Sequence, residues 1–107
     1  VHDGWKNAIV DAAETDTCFL RTEGGPSLRA LRTKTTERFE AGEGNAMEGL
    51  GGGVRDVYFE GKLENGVALT GQVAGRIESI RPVADIIADT VAEFEEAARR
   101  LAKQIGA

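Results

Sequence analysis

The sequence predicts an α+β fold, a small mixed unit followed by one long C-terminal helix. Three observations predict it. Ile87, Val91, Phe94, Ala98, Leu101 and Ile105 recur at spacings of four and three, the apolar stripe of a helix about six turns long. Near the other end Trp5, Ile9, Ala12 and Ala13 repeat the helical spacing, with Ala8 beside them. Between them Thr17–Leu20 and "SLRALR" are short runs of strand type, separated by Gly24-Gly25-Pro26. The chain therefore divides into 1–81, a small α+β unit, and 82–107, a helix that needs a body to lie against.

The elements follow in order. Asp3 is a suitable N-cap, so the first helix is expected over residues 3–13. The turn-like "ETD" ends it, and the two runs flanking Gly24-Gly25-Pro26 read as a hairpin or strand pair. "TKTTERFEA" reads as a helix to Ala41 with Thr33 as a candidate cap, against the pull of three threonines. Residues 42–53, "GEGNAMEGLGGG", hold six glycines in twelve and read as a flexible or substrate-facing loop, or a plain connector. "VRDVYFEGK" alternates only in part and reads as a short strand or irregular segment. In "LENG", Asn65-Gly66 has the composition of a turn that needs positive φ. Pro82 then opens the terminal helix, with Asp85 in its first turn, Lys103 in its last, and the pairs Glu95–Arg99 and Glu96–Arg100 on its solvated side.

Composition narrows function mainly by exclusion. With 41% hydrophobic, 29% charged and 6% aromatic residues, the chain has the balance of a soluble globular unit. Thirteen basic against eighteen acidic residues give a formal net charge of -5, the wrong sign for a phosphate backbone, so no nucleic-acid partner is expected. No apolar run is long enough to cross a bilayer and no signal-like leader opens the chain, so no membrane partner is expected either. Cys18, the single cysteine, lies in the apolar run "DTCFL" and reads as a buried thiol in a reducing cytoplasm, with a reactive thiol as the alternative. The chain begins at Val1 without a methionine, which suggests a truncated sequence.

The chemistry of a complete enzyme is sparse. His2, the one histidine, stands at a terminus expected to fray, which leaves it no fixed geometry. One Cys and one His cannot make a zinc site, and the carboxylates show no calcium-loop pattern, so no metal site is expected. "GEGNAM" offers Gly-x-Gly but places Met47 where a dinucleotide fingerprint needs its third glycine, and no Gly-Lys-Ser/Thr follows. No catalytic residue is assigned.

Three stretches nonetheless resemble, in order, the C-terminal part of the nitronate monooxygenase family, which also includes the flavin-dependent enoyl-acyl-carrier-protein reductases. "VHDGWKNAIVDAAETDT" resembles the family's Lys-x-Ala-Ile helix and following Thr-Asp-Thr. "GGPSLRALRTKTTERF" resembles its Gly-x-Pro-x-Arg-x-Leu-Arg stretch, and "ENGVALTGQVAGRIESIRPVADII" its Gly-Gln-x-x-Gly segment and Pro-led final helix. The resemblance implies a fragment of an FMN-binding (β/α)8 barrel protein: a substrate-covering domain at 1–81 and a helix at 82–107 that packs on the barrel. It implies that FMN is held mainly by residues upstream of this sequence, so no cofactor-binding residue is assigned here.

By the same resemblance, Leu69, Thr70, Gly71 and Gln72 are the candidate substrate-binding residues, Gly71 admitting a close backbone approach and Leu69 and Thr70 supplying one apolar and one polar contact. A close-packed corner is the competing reading of "TGQVAG", and Gln72 equally suits a helix cap. The leading expectation is an oxidoreductase that oxidises alkyl nitronates, a small-molecule substrate, with oxygen. The alternatives are an enoyl-thioester reductase fragment and a non-catalytic module that binds a small ligand or forms a homo-oligomer through the terminal stripe.

Overall fold

A computed structural model describes residues 1–106. Helix α1 spans Asp3–Asp11, strand β1 Thr17–Leu20, strand β2 Leu28–Leu31, helix α2 Lys34–Glu40, helix α3 Ala46–Phe59 and helix α4 Val83–Gln104. Two short 3-10 turns, Leu63–Asn65 and Gln72–Arg76, lie between α3 and α4. The α+β expectation holds, with the hairpin where the sequence places it. β1 and β2 pair antiparallel in the register Thr17↔Leu31, Cys18↔Ala30, Phe19↔Arg29 and Leu20↔Leu28.

That register sorts the side chains onto two faces. Cys18, Leu20 and Ala30 turn to one side, where they are buried with Ala46 of α3 and Val67, and Leu28, Phe39 and Leu69 pack around them. Leu31 turns to the other and is buried with Val57, Ala68 and Ala74 beneath Trp5, Ala8 and Ile9 of α1. Cys18 is the buried thiol that its apolar run predicts, 1% exposed.

The open end of the hairpin is fastened by polar side chains. Arg32 donates to the carbonyl of Thr17 at 3.1 Å and to Glu40 at 2.9 Å. The hydrogen bond and charge of Glu40 hold the Arg32 guanidinium above its already high range. Thr33 caps α2 as its sequence suggests, in a reciprocal box with Thr36. Thr36 is fully buried, accepts from the Thr33 amide at 2.8 Å and donates to the Leu31 carbonyl at 2.9 Å. Thr36→Val keeps the shape and strands both backbone partners, so it is expected to cost about 1–3 kcal/mol in denaturant unfolding.

Several local expectations are overturned. The glycine-rich stretch 42–53 is not a loop over most of its length: only residues 42–45 form a turn, and Asn45 caps α3 through its side chain, which accepts from the Met47 amide at 3.0 Å. "VRDVYF" is the second half of that helix and not a strand. Small residues make the helix fit: at Ala46, Gly49 and Gly53 the α3 backbone comes close to Phe39, Val67 and the Asn65–Gly66 chain. The Asn65-Gly66 turn needs no positive φ, since Asn65 closes a 3-10 turn and Gly66 is extended at φ -173. In this part of the chain the residue with positive φ is Gly61, at φ 71, just past the end of α3.

At the N-terminus His2, not Asp3, caps α1. Its Nδ1 accepts from the Gly4 amide at 2.9 Å, and its own amide donates to the Tyr58 carbonyl at 2.7 Å. The terminus is thus pinned against the end of α3, where fraying was expected.

α4 has the predicted stripe, but among the described residues nothing lies beneath it. From Arg76 to Gln104 every residue except Ala102 is exposed, with Phe94 at 72%. The principal extents of 55 × 28 × 22 Å show how far the molecule is drawn out along one axis. No helix among the described residues is long and apolar enough to cross a membrane.

Candidate functional site

The segment that carries the predicted binding residues is a third extended rung beside β2. The Leu31 amide donates to the Ala68 carbonyl at 2.9 Å and the Thr70 amide to the Arg29 carbonyl at 3.1 Å, with an antiparallel bridge between Ala30 and Leu69. Leu69 turns to the side of Cys18 and Leu20, and packs against that core. Its amide donates to the Tyr58 hydroxyl at 2.9 Å, and the Tyr58 ring lies edge-on to Trp5 with centroids 5.3 Å apart. Leu69 is therefore half-buried support, which answers the apolar half of the expectation differently from the pocket contact foreseen.

Thr70 belongs to the opposite face. The strand register places it across from Arg29, and Arg29 across from Phe19. Phe19–Arg29–Thr70 thus form a row across three neighbouring segments, at the end of the face that α1 leaves uncovered. Phe19 is 47% exposed, and the Arg29 guanidinium carbon sits 5.6 Å from its ring centroid. Arg29 also donates through Nη1 to the Thr17 hydroxyl at 3.0 Å. Gly71, next along the same segment, lies in open space, with no described atom within 4 Å of where a side chain would begin. Gln72 is exposed and starts the 3-10 turn Gln72–Arg76, whose N-terminus has no side-chain cap, so its suggested capping role is not seen.

The structure thus brings Thr70 and Gly71 together with two residues the sequence did not single out, Phe19 and Arg29. The alternation of "TCFLR" carries a signal for Phe19, since Cys18 and Leu20 on the core side force it outward. Arg29 could be found only from the register.

Gly75 answers to the other reading of "TGQVAG". A Cβ there would meet the Glu14 amide, and the Ala13 carbonyl carbon at 2.5 Å. Close packing governs that end of the segment, while Gly71 is free of it. Gly75→Ala is expected to lower the unfolding midpoint clearly, whereas Gly71→Ala should leave it within about 0.5 kcal/mol in the same measurement.

A cavity of about 920 Å³ opens on the other side of Phe19, lined by Phe39, Arg21, Glu23, Glu40, Glu48 and the Gly42–Asn45 turn among others. Three carboxylates face one arginine there, a balance that repels a phosphate. Among the described residues no group of histidine, cysteine and carboxylate side chains is placed to hold a metal ion. FMN, the cofactor implied by the resemblance, does not fit these residues: four of the six glycines in the stretch lie inside α3, and Gly42 and Gly44, in the turn before it, line the cavity whose carboxylates repel a phosphate.

The chain is similar to the solved structure of FabK from Thermotoga maritima, with 38% sequence identity and a TM-score of 0.80, over 94% of this chain and 34% of that one. A single-substitution variant of the same Thermotoga maritima FabK matches at 38% identity and a TM-score of 0.74, over 94% of this chain and 31% of that one. The chain spans about a third of the length of the structures it matches. No family model and no curated protein matches it.

Proposed function

We propose that this chain is the substrate-covering part of a flavin-dependent enoyl-thioester reductase. The observation that carries the reading is its 38% identity to FabK along almost its whole length. FabK is an FMN-dependent enoyl-acyl-carrier-protein reductase, so the support goes to the reductase branch of the family and not to nitronate oxidation, the leading expectation from sequence. FMN would be held by other parts of the protein, in keeping with the misfit of the residues present. This chain would supply a wall: a sheet face carrying Thr70 and Gly71, braced from behind by Leu69 and Tyr58. The substrate is then a small enoyl thioester, and α4 a helix laid against the barrel.

The test is purification of the native polypeptide that carries these residues. A yellow protein whose oxidation of a reduced nicotinamide requires a trans-2-enoyl thioester is the expected result. Oxygen uptake with an alkyl nitronate and no thioester-dependent turnover would restore the monooxygenase reading, and a protein without flavin would overturn both.

A further inference from the structure

We propose that the row Phe19–Arg29–Thr70 is an anion subsite that takes a phosphate group. Among the described residues Arg29 is the one half-buried basic residue with no carboxylate within 4 Å of its charged nitrogens. The arginines and lysines that lack an ion pair elsewhere, Arg21, Lys34, Arg76, Arg100 and Lys103, are all exposed. A half-buried arginine with no counter-charge among the described residues keeps donors free for an acceptor from outside.

The group is also held in place. Nη1 is tied to the Thr17 hydroxyl, itself buried, and the guanidinium is positioned over the Phe19 ring. Those two contacts fix the plane of the fork and leave Nε and Nη2 without a partner among the described residues. A planar fork with two free donors matches the two oxygens of a phosphate better than a single carbonyl. Thr70 stands opposite Arg29 in the same row, and Gly71 beyond it leaves room for a ligand to approach.

The subsite itself rests on this geometry alone, while the source of its phosphate rests on the proposed function. An enoyl-thioester reductase handles two phosphate-bearing molecules, the nicotinamide dinucleotide with its pyrophosphate and the thioester's pantetheine arm with its phosphodiester.

The test uses this 107-residue chain with Phe94→Glu and Leu101→Glu on α4, which belongs to neither core, to keep it monomeric; it is labelled for backbone and arginine-Nε nitrogen NMR and titrated with inorganic pyrophosphate against sodium chloride at equal ionic strength. Saturable shifts are expected at Arg29 Nε and at the amides of Thr70 and Gly71. Arg29→Gln should weaken binding by about tenfold or more, and Arg29→Lys by several-fold, since a lysine keeps the charge and loses the fork. Arg21→Gln, an exposed arginine one strand position beyond β1, should leave affinity within about twofold. Should Arg29→Gln disturb the fold, Arg29→Lys and Thr70→Val carry the comparison.

Shifts that grow linearly without saturation, or a loss on Arg21→Gln equal to that on Arg29→Gln, would overturn the subsite. ADP-ribose and 4′-phosphopantetheine, titrated next, separate the two sources by which one binds more tightly than pyrophosphate. Because no flavin or turnover enters this measurement, a negative result removes the subsite and leaves the reductase reading standing, and the reverse also holds.

Discussion

Gly53→Ala is expected to destabilise the fold by about 3 kcal/mol or more, although the same change in an ordinary helix interior is favourable. An alanine costs less backbone entropy than glycine in a helix, a difference of about 1 kcal/mol. At Gly53 that gain is overwhelmed, because a Cβ would lie 2.5 Å from the Asn65 carbonyl oxygen and 2.6 Å from the Gly66 Cα. Both obstacles are backbone and cannot swing aside, so either α3 or the turn before the Val67–Thr70 rung must move. That displacement would carry Val57 and Val67, both buried, out of register with the two cores. Gly51→Ala and Gly52→Ala supply the contrast. Both positions are exposed in the same helix with nothing within 4 Å, and each substitution should stabilise by about 1 kcal/mol. Equilibrium urea unfolding of the three variants reads the difference directly. A Gly53→Ala protein as stable as its Gly51 and Gly52 counterparts would show that α3 does not pack as described.

These glycines also explain where the sequence could be read and where it could not. The hairpin, the Thr33 cap and the terminal helix were legible because their signals are local: β-type runs around Gly24-Gly25-Pro26, a polar residue before a helix, a stripe of large apolar residues. α3 was not legible because its inward positions are filled by small residues, Ala46, Gly49 and Gly53, followed only at Val57 by a large apolar one. Glycine count taken as flexibility outweighed that spacing, yet a regular run of small residues at intervals of three and four is what a close helix-to-backbone approach requires. The candidate site divides in the same manner. Thr70 and Gly71 came from resemblance, whereas Arg29 depends on the β2 register with β1 on one side and Val67–Thr70 on the other, a pairing over some forty residues of sequence separation. His2 was misjudged because its anchor, the Tyr58 carbonyl, lies at the far end of the unrecognised helix.

The second large effect is expected on α4. As an isolated chain the protein should self-associate at tens of micromolar, and the double substitution of Phe94→Glu with Leu101→Glu should render it monomeric. Ile87 at 59% exposed, Val91 at 52%, Phe94 at 72% and Leu101 at 58% form one continuous face of a helix 22 residues long. An apolar face of that length is far more than a soluble monomer normally leaves in water. Its helical pattern also differs from that of an exposed helix, since Asp85, Asp89, Glu93, Glu96, Arg99, Arg100 and Lys103 are all confined to the opposite side. The ion pairs of Asp89 with Arg81, just before the helix, and of Glu95 with Arg99 within it are exposed and contribute little, so helix propensity and burial of the stripe must decide whether α4 persists. Sedimentation velocity over a hundredfold range of concentration measures the association. Circular dichroism should show helix lost in the monomeric double variant, while the thermal transition of the 1–76 core stays where it was, because the two cores contain no residue of α4. In a longer protein in which a barrel covers the stripe, the same double substitution should instead lower the stability of the whole by several kcal/mol. A monomeric parent chain with a sharp, concentration-independent transition would mean that α4 needs no cover, and the proposed placement of this chain against a barrel would lose its physical basis.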